Sequence, residues 1–232
     1  MSRGVDVDVV CLSPAPDADS RREAVDGVLS ADNLKRLKSI DDLLLDELME
    51  WILPGQRCIA ITEVRNDWQF FYDSTFNTAM LADGLSRALP GSTVIQFNLQ
   101  EETDLTLRVL RNDSVLFEYS NAPSFFNWGR CIGKSEAATL ARIDLPAFIE
   151  AVGRPLDSKV LADCFEVFAA RTLGEVSGPK KRHKDGVYDA MQLLAQQMRM
   201  PRLYRFFEGW MKSDLDWDED DVEEVLAYRQ DA

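Results

Sequence analysis

A single histidine, His183, serves a chain of 232 residues. It sits in the basic run Lys180-Lys181-Arg182-His183-Lys184, where neighbouring cations make an imidazole a poor base. Serine or cysteine nucleophiles activated by histidine would depend on this one residue, and no nucleophile elbow or orienting third partner accompanies it. Cysteine is scarce too. Cys11, Cys58, Cys131 and Cys164 stand far apart, none at metal-ligand or redox spacing, and each lies in apolar or mixed sequence. They read as reduced, buried thiols. Positive charge is short: 26 Lys and Arg face 40 Asp and Glu, a net charge of −14. Such a field repels phosphate backbones and anionic lipid, so the expectation is no direct nucleic-acid binding and no membrane partner. No window approaches the roughly eighteen consecutive apolar residues of a membrane span. The opening MSRGVDVDVVCL is broken by Asp6 and Asp8 where a signal peptide would be apolar, which points to a cytoplasmic protein.

Two motifs come close to known ligand loops and fail at diagnostic positions. Gly129-Arg130-Cys131-Ile132-Gly133-Lys134-Ser135 ends like a phosphate-binding loop, but three residues separate its glycines where four are needed for successive amides to wrap a phosphate. The residue that would restore the count is Trp128. In KSDLDWDEDD, the alternation of Asp214, Asp216, Asp218 and Asp220 imitates the start of a calcium loop. With Asp214 as position one, however, Glu219 occupies the glycine position and Val225 that of the bidentate glutamate. A simpler account makes Asp218 a helix cap, with Glu219, Asp220 and Asp221 in the first turn. No catalytic residue, metal ligand or cofactor site is assigned.

What is present is enough apolar sequence, 46% of residues, for a sizeable core, and a change of periodicity along the chain. Val5, Val7 and Val9 alternate with Asp6 and Asp8 as in a strand with one wet face. A polar linker, SPAPDADS, follows at 13–20. The stretch SIDDLLLDELMEWIL reads as a helix opened by Ser39 and stopped by Pro54-Gly55. Residues 58–64 and WQFFYD form a predicted hairpin about Arg65-Asn66-Asp67. Residues 75–89 form a helix ending at Pro90-Gly91, and STVIQFNL, DLTLRVL and SVLFEYS are three further strands, the last two joined at Asn112-Asp113. Beyond about Asn121 the period turns helical through DLPAFIEAV, DSKVLADCFEVFAARTL, VYDAMQLLAQQM, PRLYRFFEGWM and EEVLAYR. Strands first and helices last argue for an α+β fold: an antiparallel sheet with one or two packed helices, followed by a helical C-terminal region. The division falls at 1–134 and 135–232, with the two regions packed as one unit.

From Trp68 to Phe126 the segments LSRALPG, TVIQFNL, RNDS and SNAPSFF carry a helix ending in LS-x-x-L, a strand, a hairpin with a polar tip and an Asn-x-Pro exit with aromatics. In this they resemble a widespread group of small bacterial cytosolic proteins, and AMQLLAQQMRMPRLYRFF at 190–207 is similar to that group's C-terminal helix and following turn. The resemblance spans about a quarter to a third of the chain, and its motifs are structural, so no functional residue is carried over. It implies an association with immunity-type proteins, which neutralise a toxin by binding it.

Residues 214–232 hold nine acids and one base, a net of −8, leaving −6 for residues 1–213. Within that tail Trp217 stands between Asp216 and Asp218, an aromatic anchor ringed by carboxylates suited to a basic protein surface. Asp214, Asp216, Trp217, Asp218, Asp220 and Asp221 are therefore the candidate partner-binding residues. The resulting expectation is a non-catalytic binding module, monomeric or dimeric, of the immunity or antitoxin type, acting on a basic protein. Two alternatives stay open: a hydrolase whose pocket is built from dispersed carboxylates, and an acidic mimic of nucleic acid.

Overall fold

The computed structural model describes residues 7–39, 45–46, 51–52, 55–75, 78–100, 104–122, 133–172, 186–203 and 222–230. At its centre is β1 (Val7–Ser13), all seven of whose residues are buried. Strands covered on both faces need apolar side chains in both directions. Val7, Val9 and Cys11 accordingly point into one core and Val10 and Leu12 into another. Asp8 does not have the wet face its alternation predicts. It is 1% exposed, because helices cover the face it lies on.

Eight strands form one antiparallel sheet in the order β2-β10-β5-β6-β1-β7-β8-β9. They are β2 (Leu34–Arg36), β5 (Gln56–Thr62), β6 (Gln69–Asp73), β7 (Thr93–Gln100), β8 (Asp104–Arg111), β9 (Ser114–Ser120) and β10 (Val222–Gln230), besides β1. The predicted hairpins form at the predicted turns. Asn66 and Asp67 (φ 53° and 68°) and Asn112 and Asp113 (φ 51° and 61°) all take the left-handed conformation that a two-residue hairpin requires of both central residues, and that Asn and Asp tolerate.

One face of the sheet carries α1 (Ala18–Ser30) and α2 (Thr78–Ala88) on Val10, Leu12, Ile59, Phe71, Val94 and Leu226. The other carries α4 (Leu145–Val152), α5 (Ser158–Thr172) and α6 (Gly186–Gln197), with the short α3 (Lys134–Leu140) before them. There Phe148 and Phe165 meet Phe117 and Tyr119 of β9 edge to face, at centroid distances such as 5.0 Å for Phe117–Phe148 and 5.1 Å for Tyr119–Phe165, and Phe168 stands edge to face with Phe165 at 5.4 Å. This is the geometry favoured by the ring quadrupoles. Asn121 links the two layers: its Oδ1 accepts from the Leu105 amide (2.7 Å) and its Nδ2 donates to the Phe168 carbonyl (3.1 Å).

Three expectations are corrected. EEVLAYR is not helical: it belongs to β10, which pairs with β5 through Val225↔Ala60 to Arg229↔Gln56 and with β2 through Tyr228↔Arg36. Leu226 and Tyr228 reach the α1–α2 core while Ala227 packs on the opposite face, so a period of two serves both layers where a helix would bury one stripe. The linker at 13–20 runs into α1, whose N-cap Asp17 accepts from the Ser20 amide at 2.9 Å. The helix expected over 39–53 is contradicted by β3 (Leu45–Asp46) and β4 (Trp51–Ile52), which pair antiparallel in a separate two-stranded sheet. Strand pairing there overrides a short apolar run that fits either period. PRLYRFFEGWM lies outside the described residues beyond Leu203.

Candidate functional site

Asp214, Asp216, Trp217, Asp218, Asp220 and Asp221 all lie outside the described residues, as do His183, Cys131 and residues 129–132 of the phosphate-loop look-alike. Gly133 caps α3 without a side-chain bond, and Lys134 beside it is exposed. Cys11, Cys58 and Cys164 are buried free thiols. Burial pushes the Cys164 thiol up to about 11, with the nearby Asp163 charge adding to the shift. Among the described residues no three side chains of metal-ligand type converge, and no helix is long and apolar enough to cross a membrane.

The tail's two described glutamates turn inward. Arg21 of α1, 2% exposed, donates both terminal nitrogens to Glu223 (3.0 and 2.9 Å) and one of them to Glu224 (3.1 Å), while Arg22 Nε reaches Glu224 at 2.6 Å. The bonds from Arg21 hold the Glu223 carboxyl below the usual carboxylate range. Farther along α1, the Tyr228 hydroxyl donates to Asp26 at 2.8 Å. One side of α1 is thus fastened to β10.

A second polar network lies under α2. The Thr78 hydroxyl and amide both donate to Asp8, and Gln96 Nε2 donates to Thr78 Oγ1 at 2.7 Å. Arg108 then bridges Gln96 (3.4 Å) and Asp83 (2.8 Å). Burial raises Asp8 to about 6 against the opposing bonds from Thr78 and Asn98, and the charge of Asp73 adds to the rise. Asp73 lies one register step beyond the Val9↔Tyr72 pair, beside Asp8 on the next strand. It accepts from Arg57 Nε (3.0 and 2.9 Å) and from Thr75 Oγ1 (2.8 Å). Asp8 and Asp73 are thus a pair of acids on neighbouring strands. Both are buried and committed to the fold.

Among the described residues a groove of about 1200 Å³ opens between α1 and α2. The two helices abut at Gly84, where a Cβ would stand 2.2 Å from Val28 Cγ2. Ala24, Gly27 and Val28 line the groove from α1, and Met80, Gly84 and Leu89 from the α2 side. Its charged lining is Asp17, Glu23, Asp32, Asp83 and Arg87. Asp83 is bridged to Arg108 and Arg87 to Asp113 at 3.1 Å, so these charges are compensated. Asp32 comes only within 3.9 Å of Arg57, whose guanidinium is already bonded to Asp73. Asp17 and Glu23 are exposed as well. The lining therefore carries four acids against one base, with Asp17, Glu23 and Asp32 exposed and the Arg87–Asp113 pair lying in solvent as well. Sequence reasoning misses this site because residues 13–20 read as linker. The available signal is Asp17 three residues before Ser20, followed by Ala24, Val25, Val28 and Leu29 at helical spacing.

The groove thus combines small and aliphatic side chains (Ala24, Val28, Met80, Leu89) with the hydroxyls of Ser20 and Ser92 and a rim richer in acids than in bases. Comparison with known proteins adds no relative: no family model matches the chain, no curated protein matches it in sequence, and no solved structure matches it.

Proposed function

We propose that this chain is a non-catalytic module that binds a basic protein, in the manner of immunity- or antitoxin-type inhibitors. The observation that carries this reading is the α1–α2 groove, whose lining sets the acids Asp17, Glu23, Asp32 and Asp83 against one base, Arg87. The net charge of −14 acts in the same direction, drawing a basic partner in from a distance. The resemblance of residues 68–126 to a group with immunity-type associations supports it independently. The acids 214–221 then belong to the steering field, with Trp217 as an anchor.

The test is kinetic. A basic protein captured by the intact chain at low salt is purified, and its association and dissociation rates are measured at two salt concentrations against wild type and the Glu23→Gln/Asp32→Asn double variant. Slower association and a flatter salt dependence in the variant support the groove. Rates identical to wild type, with the fold intact, remove the groove from the reading. Competition by duplex DNA for the same partner would instead favour the acidic mimic of nucleic acid.

A further inference from the structure

Gly27 lies in the interior of α1 and lines the groove. Glycine within a helix weakens it relative to alanine, because the unfolded chain loses more backbone freedom on folding and no methyl covers the backbone. Two circumstances make glycine necessary at such a position: a left-handed backbone, or a neighbour too close for a Cβ. Gly84 has the second reason, in Val28. Gly27 has neither within the fold: its φ is not positive, and among the described residues a Cβ placed there meets nothing within 4 Å. The bare backbone faces an open groove.

Resting on the reading of this groove as the partner site, we infer that its occupant is an amphipathic α-helix of the basic partner, seated with its backbone close against Gly27 and with Lys or Arg along its flanks. Ala24, Val28, Met80 and Leu89 form an aliphatic strip between the polar side chains of the rim, and the helices that flank it have their backbone bonds already made, so an extended chain would find no ladder of backbone partners there. A helix arrives with its backbone bonds already made, which is the general solution for apolar grooves between helices. A missing side chain on one helix allows a second to approach more closely than the usual 8–10 Å or so between axes. Asp17, Glu23 and Asp32 then meet flanking cations at the rim, where charge steers and orients. The 13 residues of α1 span about 20 Å at 1.5 Å per residue, which matches three to four turns of an occupant. A second copy of this chain is unsuited, since two such faces would set acid against acid.

The probe is a fluorescent synthetic peptide of about eighteen residues with Leu and Lys at amphipathic helical spacing, compared with a scrambled peptide of the same composition that cannot segregate its faces. Anisotropy titrations of the full chain should show the amphipathic peptide bound at least about tenfold tighter than the scramble. Gly27→Leu, which fills the close approach without changing charge, should remove that advantage and leave the weak binding of the scramble as it was. Gly27→Ala should weaken the amphipathic peptide several-fold while raising the thermal midpoint, an opposition that a purely structural glycine does not produce. Equal binding of both peptides, indifferent to Gly27→Leu but lost in Glu23→Gln/Asp32→Asn, would overturn the helical occupant and keep the binding module. Equal binding that no groove variant changes would overturn both.

Discussion

Asp8 lies at the centre of the sheet with α2 closed over it, and the fold holds its proton more tightly than the unfolded chain does, at about 6 against 3.8. The sign follows from linkage. Asp8's contribution to stability is fully present below about pH 4 and is lost as pH rises through about 6, because the native state binds the extra proton only in that window. Two units correspond to about 3 kcal/mol. Asp8→Asn, which keeps an acceptor and carries no charge, should therefore gain on wild type by roughly that amount between about pH 4 and pH 7.5 in urea unfolding. A difference constant across pH would show that Asp8 titrates at its ordinary value in the fold. Gly84 makes a sharper steric case. A methyl on its Cα would sit 2.2 Å from Val28 Cγ2, so Gly84→Ala should cost about 1–3 kcal/mol, read from the denaturation midpoint, in spite of alanine's better helix propensity.

Between elements, the connection most exposed to testing is that of α1 to β10. Arg21→Met leaves Glu223 and Glu224 facing a side chain that donates nothing. Glu223 is 39% exposed, so water compensates part of the loss, and the expected destabilisation is about 2 kcal/mol. Glu223 is held ionised by this pairing, so that stability is present above its unfolded pKa and lost as pH falls, and the wild-type advantage should shrink in acid. An advantage equal at neutral and acid pH would count against the clamp. The same two elements mark the limit of what the sequence discloses. The hairpins are legible because Asn66-Asp67 and Asn112-Asp113 carry their turn chemistry locally. In contrast, β10 reads as a helix because Glu223, Glu224, Leu226 and Ala227 are good helix formers, and only β2 and β5 on its two sides make it a strand. The groove is hidden for a related reason: Ala24 and Gly27 look ordinary until α2 stands opposite them.

For the whole molecule, the charge and the thiols make separate predictions. If a basic partner uses the tail, neutralising Asp214, Asp216, Asp220 and Asp221 to Asn should slow association and flatten its salt dependence, while Trp217→Ala should speed dissociation; unchanged rates in both would place the working surface elsewhere. Cys11, Cys58 and Cys164, all buried, should resist alkylation in the native protein and react once it is denatured, as mass spectrometry would show. The place of β10 in the sheet also has a consequence in time. On a ribosome, Leu34–Arg36 is made roughly 190 residues before Tyr228–Gln230, the segment it must pair with. Until then β5 has one open edge and β2 has no neighbour in the sheet. The nascent chain must carry that unfinished border until β10 has emerged, and closing it is a long-range, slow event.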